Sequence, residues 1–261
     1  VAATGRLSSI DPNLQNIPAR TELGREIKAC FQSREGWKLL ACDYSQIELR
    51  LAAHLSGDVA MKQIFLDGVD FHAATAARVY HLPLKEVTKA QRSFAKTINF
   101  GILYGMGAHA LSRNLQASYA EAKDMLEKYK EAYPQLHQYI EDQKALAHQQ
   151  GFARTDLGRV RDLLSYNTKN FQQRALMERI AVNMPIQGLQ ADIIKKAMIE
   201  LDQKLQEKDD IQMLLQVHDE LVFEVQEESI EKYERIIKEV MQSQYESSVP
   251  LLVEARITDR W

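Results

Sequence analysis

The spacing of apolar and polar positions divides the chain into β-rich ends and a helical middle. The first twenty residues, with Gly5, Asp11-Pro12-Asn13 and Pro18, read as irregular extended chain. Two short apolar runs, Ile27 to Phe31 and Lys38 to Cys42, flank the turn Ser33-Arg34-Glu35-Gly36 and predict a hairpin. From Ser45 the period becomes helical. Ser45 and Glu48 form a capping-box pattern, and Gly57 closes that helix. Asp58 and Asp70 suit the N-caps of two short helices. The capping-box pattern recurs at Thr88 with Gln91 and at Ser118 with Glu121. Pro134 opens a long amphipathic helix that stops near Gly151, and Thr155-Asp156-Leu157-Gly158 reads as a turn. A helix from about Thr168 to Asn183 follows, and Pro185 is expected to open a separate helix reaching about Lys208. Ile211 to Val217 and Leu221 to Val225 are β-rich, Ser229 to Gln244 is helical, and Leu251 to Ile257 reads as a last strand. The layout is an α+β arrangement without repeats.

Composition narrows this little. The chain has 261 residues, 45% hydrophobic and 26% charged, which suits one large core or two lobes and excludes disordered and collagen-like classes. A net charge of -3 leaves no bulk nucleic-acid footprint, so any such surface must be local. No apolar run is long enough to span a bilayer, and no membrane association is expected. Two cysteines fit a reducing compartment. The hairpin would set Cys30 near Leu39 and Cys42 near Ile27, predicting two free, buried thiols.

Candidate chemistry lies in three places. Asp43 follows the apolar run Leu39-Leu40-Ala41-Cys42, where a buried strand emerges, and Asp219 lies at the tip of an apolar hairpin. If those strands are neighbours, the two carboxylates repel unless a divalent ion joins them. Oxygen-only ligands favour Mg²⁺ or Mn²⁺. The third place is the helix from Thr88 to Tyr104, where Arg92, Lys96, Phe100 and Tyr104 stand four residues apart. Each such step drifts only ~40° around a helix, so two cations and two aromatics share a face. That face suits a triphosphate beside a stacked base. Taken singly, each feature has a plainer reading: a turn aspartate, a polar hairpin tip, a solvated cationic face grading into an aromatic stripe. Gly101 and Gly105 in the same helix point to close packing or a bend.

Together these segments resemble the polymerase core of bacterial family A DNA polymerases. Asp43-Tyr-Ser-Gln-Ile-Glu-Leu-Arg50 is similar to the first catalytic motif, and Val217-His218-Asp219-Glu220 to the second. The run from Arg92 to Gly105 resembles the fingers-helix motif. Thr4-Gly-Arg-Leu-Ser-Ser9, Asp11-Pro-Asn-Leu-Gln-Asn16 and Asn183-Met-Pro-Ile-Gln187-Gly188 also match family segments. The likeness covers nearly the whole chain.

The resemblance implies a right-hand architecture. Its palm, an antiparallel sheet, would be residues 1–50 and 179–261, and its fingers 51–178. It implies template-directed addition of deoxynucleotides from dNTPs to a primer end, with two Mg²⁺ ions, or Mn²⁺ as substitute. By similarity Asp43, the Tyr44 carbonyl and Asp219 ligate metal, with Glu220 a lesser contact. Arg92 and Lys96 would grip the triphosphate, and Lys96 would protonate the leaving group. Phe100 would face the sugar, Glu48 would block a ribose hydroxyl, and Tyr104 would occupy the template position in the open hand. Gln46 and His72 resemble positions near the nucleotide. Arg6, Asn13, Gln15, Asn16, Arg179, Asn183, Gln187 and His218 would contact the primer-template. In the family a thumb, and before it a proofreading-exonuclease-like domain, precede Thr4-Gly-Arg6. Both are absent here, so a fragment of a longer, nucleoid-associated cytoplasmic enzyme is expected. Two other readings stay open: an inactive nucleic-acid-binding fragment, and a different two-metal enzyme such as a nuclease or cyclase.

Overall fold

The computed structural model describes residues 2–17 and 21–261, and the expectation at Pro18 lies outside the described residues. The helices are α1 (Glu22–Ala29), α2 (Ile47–Ser56), α3 (Val59–Leu66), α4 (Phe71–Tyr80), α5 (Lys89–Leu103), α6 (Ala108–Leu115), α7 (Tyr119–Ala132), α8 (Pro134–Gln150), α9 (Phe171–Leu205) and α10 (Ile230–Ser243). The strands are β1 (Trp37–Tyr44), β2 (Phe152–Arg154), β3 (Val160–Asp162), β4 (Ile211–Val217), β5 (Glu220–Gln226) and β6 (Val253–Thr258). They divide between two compact units. The first comprises Val1–Ile47, Gln190–Glu246 and Leu251–Trp261, and the second Glu48–Leu189 with Ser247–Pro250.

The first unit is built on a four-stranded sheet in the order β4-β5-β1-β6, antiparallel throughout. Leu40, Cys42, Leu221 and Phe223 are fully buried in it. Helix α10 packs on this sheet through a face that includes Ile237 and Met241. The buried Tyr44 side chain crosses that layer and donates its hydroxyl proton to the Met241 carbonyl at 2.6 Å. Leu39 and Ala41 are buried on the other face of β1 with Val222 and Trp261, and Asp43, the next residue on that face, is left exposed near the strand's end.

The second unit is helical, with the small hairpin of β2 and β3. Its aromatic centre stacks Phe71 on Phe65 at 4.8 Å and on Tyr133 at 5.7 Å. Asp58 is wholly buried. One of its oxygens accepts from the Met61 amide at 3.0 Å, the other from the Gln135 and Leu136 amides at 3.2 Å. A single carboxylate thus caps α3 and α8 together, and both helix dipoles favour its charge. The caps expected at Asp70, Thr88 and Ser118 also form.

Two expectations fail. Ile27 belongs to α1, not to a hairpin strand, because Thr21 accepts from the Gly24 amide and starts a helix there. Cys30 is accordingly exposed at the α1 terminus, and only Cys42 is buried. Helix α2 begins at Ile47, after Gln46 in a left-handed conformation, and the Glu48 carboxylate accepts from Tyr104. Finally, α9 runs unbroken through Pro185. An interior proline costs a helix ~3 kcal/mol. Met177, Ala181 and Met184 offset that by packing with Ala147, Ala153 and Leu163. Gly188 lets the same stretch approach Thr155, whose methyl group would lie 2.6 Å from an added Cβ.

Candidate active site

In the first unit, strand register gathers acid. Asp43 on β1 stands opposite Glu220 on β5 and opposite Glu254 on β6. Directly opposed residues share a face with Cβ atoms ~5 Å apart. Asp219 joins them from the β4–β5 turn, where its carbonyl accepts from the Tyr44 amide at 3.1 Å. The turn has no glycine. His218 takes the left-handed conformation instead, at φ 55, and Gln216 donates to its carbonyl at 2.7 Å. Partial burial pushes the Asp43 carboxyl up to about 7, and the Asp219, Glu220 and Glu254 carboxylates push the same way against Arg256. Glu220 has its own partners: the Trp261 indole N–H donates to Oε1 at 2.9 Å, and Arg256 lies 3.8 Å from Oε2. Glu254, Arg256 and Trp261 escaped sequence reasoning, since only the register reveals them.

Arg6 donates to Gln190 Oε1 at 2.6 Å, and Gln15 to the Gln216 side chain and carbonyl at 3.3 Å. These residues line one small pocket with His218. Asn13 and Asn16 are exposed around a short 3-10 turn. Gln46 is half-buried.

In the second unit, Arg92, Lys96 and Phe100 do share a face of α5, but Tyr104 is its C-cap and Gly105 lies beyond it at φ 71. Arg92 and Lys96 are exposed, Phe100 is half-buried, and the Phe100 and Tyr104 rings stack at 6.4 Å. Arg92 is held by Asp70, with Nη2 2.6 Å and Nε 3.1 Å from the carboxylate. Lys96 makes no ion pair among the described residues. The Tyr104 hydroxyl donates to Glu48 Oε2 at 2.9 Å. Glu48 is only 7% exposed.

His72 is 4% exposed, behind Phe100 at 5.7 Å between ring centres. Asn99 donates to its Nδ1 at 2.9 Å, leaving the proton of the neutral ring on Nε2. Asn99 Oδ1 in turn accepts from Thr75, whose hydroxyl meets that of Tyr133 at 2.8 Å. This buried chain ties α5 to α4. Burial drives the His72 pKa down to about 4, with Arg92 and Lys96 adding to the effect and Asp70 opposing it. Arg179, Asn183 and Gln187 recur every fourth residue of α9. The Arg179 stem lies over Gly105, 2.6 Å from where a Cβ would be.

Among the described residues no group of three or more His, Cys, Asp or Glu side chains is arranged to hold a metal ion. Two carboxylates and a carbonyl nevertheless suit Mg²⁺, which keeps several waters and binds through one or two carboxylates plus substrate phosphates. No described helix is long and apolar enough to cross a membrane.

Comparison with known proteins bears on the family and the fold. The model of DNA polymerase family A matches residues 1–261. The chain is 47% identical over 259 residues to the thermostable DNA polymerase I of Thermus aquaticus, covering 99% of this chain and 31% of the relative. It is 47% identical over 262 residues to DNA polymerase I of Pseudomonas aeruginosa, covering all of this chain and 29% of that one. The fold superposes on the POL domain of Pol1 from M. smegmatis, solved in complex with DNA primer-template and dNTP. The TM-score is 0.95 at 43% identity, covering 100% of this chain and 46% of that one. The chain thus spans about a third of the length of these two curated relatives.

Proposed function

The chain belongs to DNA polymerase family A, and from that premise we propose that it performs template-directed DNA synthesis. It adds deoxynucleotides from dNTPs to a primer 3′-hydroxyl and releases pyrophosphate. The observation that carries this reading is the acid row around Asp43, an excess of negative charge that a divalent cation relieves. Asp43, Asp219 and the Tyr44 carbonyl would hold two Mg²⁺ ions, with Mn²⁺ as a substitute. Ions held there supply Lewis-acid activation of the primer hydroxyl and neutralise the triphosphate.

The chain's own residues do the rest. Arg92 and Lys96 bind the triphosphate by charge-assisted hydrogen bonds, and Lys96 gives a proton to the departing pyrophosphate. Phe100 packs against the sugar. Glu48, buried and fixed by the Tyr104 hydroxyl, excludes a ribose 2′-hydroxyl. Gln46 and the neutral His72 complete the nucleotide surroundings. Arg6, Asn13, Gln15, Asn16, Arg179, Asn183, Gln187 and His218 contact the primer-template, with Arg6 and Gln187 on minor-groove acceptors common to all base pairs. Residues 1–50 and 179–261 serve as palm and 51–178 as fingers. The greater length of the relatives supports a thumb and upstream domains sharing the grip on DNA.

Primer extension with Mg²⁺ tests the reading. Asp43→Ala and Asp219→Ala abolish extension and pyrophosphate release. Lys96→Ala slows incorporation far more than it weakens duplex binding. Full activity in either aspartate variant would sink the assignment.

A further inference from the structure

Glu220 poses a problem for the acid row. It stands opposite Asp43 and next to Asp219, yet its two oxygens already have partners. Trp261 is 8% exposed and locked in place. Its amide donates to the Phe31 carbonyl at 3.0 Å. The Phe31 ring meets it edge-on at 5.6 Å, and the Lys28 ammonium sits 3.9 Å over its face. The indole N–H therefore has a fixed direction, and it points at Oε1 of Glu220. Arg256 stands on the same face of β6 as Glu254, two residues on, and supplies charge to Oε2 from 3.8 Å.

We propose that Trp261 and Arg256 are positioning residues that hold Glu220 off the ions taken by Asp43 and Asp219. A carboxylate with one oxygen held by a fixed N–H donor and the other facing a guanidinium is a poor metal ligand, because coordination must first break that bond and turn the group away from that charge. Without the restraint, three carboxylates within one strand spacing would close around an ion. Such a cage binds a divalent cation tightly but strips the waters and displaces the positions that substrate oxygens need. Trp261 and Arg256 thus set the number of protein ligands and keep the ions open to substrate. This rests on the reading of Asp43 and Asp219 as the metal-holding pair.

The test is Mn²⁺ binding to the purified protein without DNA or nucleotide, followed by the paramagnetic resonance of free Mn²⁺. Trp261→Phe keeps the ring between Phe31 and Lys28 and deletes only the N–H donor. It is expected to tighten Mn²⁺ binding about three- to tenfold, and Arg256→Gln is expected to act in the same direction. In a Glu220→Gln background Trp261→Phe should not alter binding, and Arg256→Gln should keep only the smaller part that comes from its charge acting on Asp43. Unchanged or weaker binding in both variants overturns the proposal, as does Trp261→Phe tightening that persists with Glu220→Gln. If Trp261→Phe fails to fold, the exposed Arg256 decides: Arg256→Gln tightening that is undiminished in the Glu220→Gln background overturns the proposal. Failure of the unmodified protein to bind Mn²⁺ overturns the metal reading itself, and is thereby distinct from binding that ignores Trp261.

Discussion

His72 gives the sharpest pH prediction. It is 4% exposed, and burial lowers its pKa to about 4. The unfolded chain titrates this imidazole near the ordinary histidine value of ~6.5. Between those values the unfolded state binds a proton that the folded state refuses. Stability therefore rises with pH through this window, is fully present above ~6.5, and is lost as pH falls toward 4. At ~1.4 kcal/mol per pH unit, the interval corresponds to a loss of ~3 kcal/mol from this one group. The perturbation is His72→Asn, whose Oδ1 can take the place of Nδ1 and still accept from Asn99. The variant loses ring packing at every pH, so the comparison is of slopes rather than absolute stabilities. Urea unfolding at half-unit steps from pH 7.5 to 4.5 measures both proteins. The difference in stability between wild type and variant should shrink by ~2–3 kcal/mol on acidification. Parallel curves would refute the argument and show that His72 is as easily protonated in the folded state as outside it.

Three further changes are predicted from the same geometry. Asp43→Asn removes one charge from the row with Asp219, Glu220 and Glu254. Because the Asp43 carboxylate is only partly buried, screening leaves a gain of ~1–2 kcal/mol at pH 8, read as a higher Tm in chelator alongside lost primer extension; a lower Tm would refute it. Asp58→Ala uncaps α3 and α8 at once and should cost ~3–4 kcal/mol in urea unfolding, whereas an ordinary single cap costs ~1 kcal/mol. Asp70→Asn can keep the cap on the Ala73 amide but releases Arg92. Stability should change by less than ~1 kcal/mol, as for an exposed pair, while steady-state incorporation shows a lower KM for dNTP; a raised KM would mean that Asp70 aims Arg92 rather than competes for it.

The parts of the fold legible in sequence are those whose chemistry is local. Asp58, Asp70, Thr88 with Gln91 and Ser118 with Glu121 act on amides within three residues, so their pattern alone marks the helix starts. Pro185 misleads for the opposite reason. Its cost to the helix is local, but the packing that overrides it comes from α8 and the β2–β3 hairpin. Helix α1 is only eight residues long, and the run from Ile27 to Phe31 before a Gly turn reads equally as a strand; its helical spacing of Leu23 and Ile27 rests on two residues that the fold leaves exposed. Asp58 shows both sides of this. Its capping of α3 is written in the next three residues, and its capping of α8 is not.

The same division runs through the candidate site. Arg92, Lys96 and Phe100 are fixed relative to one another by helical repeat, and any reader of α5 finds them. What tunes them is non-local: Asp70 on Arg92, Asn99 on His72, Glu48 on Tyr104. In the acid row the asymmetry is stronger still. Asp43 and Asp219 stand out because each ends an apolar strand. Glu254 has no such signal, for it follows the buried Val253 and precedes the half-buried Ala255 like any outward strand residue. Only the register of β1 against β5 and β6 makes it a neighbour of Asp43. Sequence motifs therefore find the groups proposed to touch substrate, while strand pairing decides the field in which those groups work. A change at Arg256 in β6, or at Trp261 beyond it, should alter the field around Asp43 and Glu220 without replacing any motif residue, and that is why these are the positions to alter first.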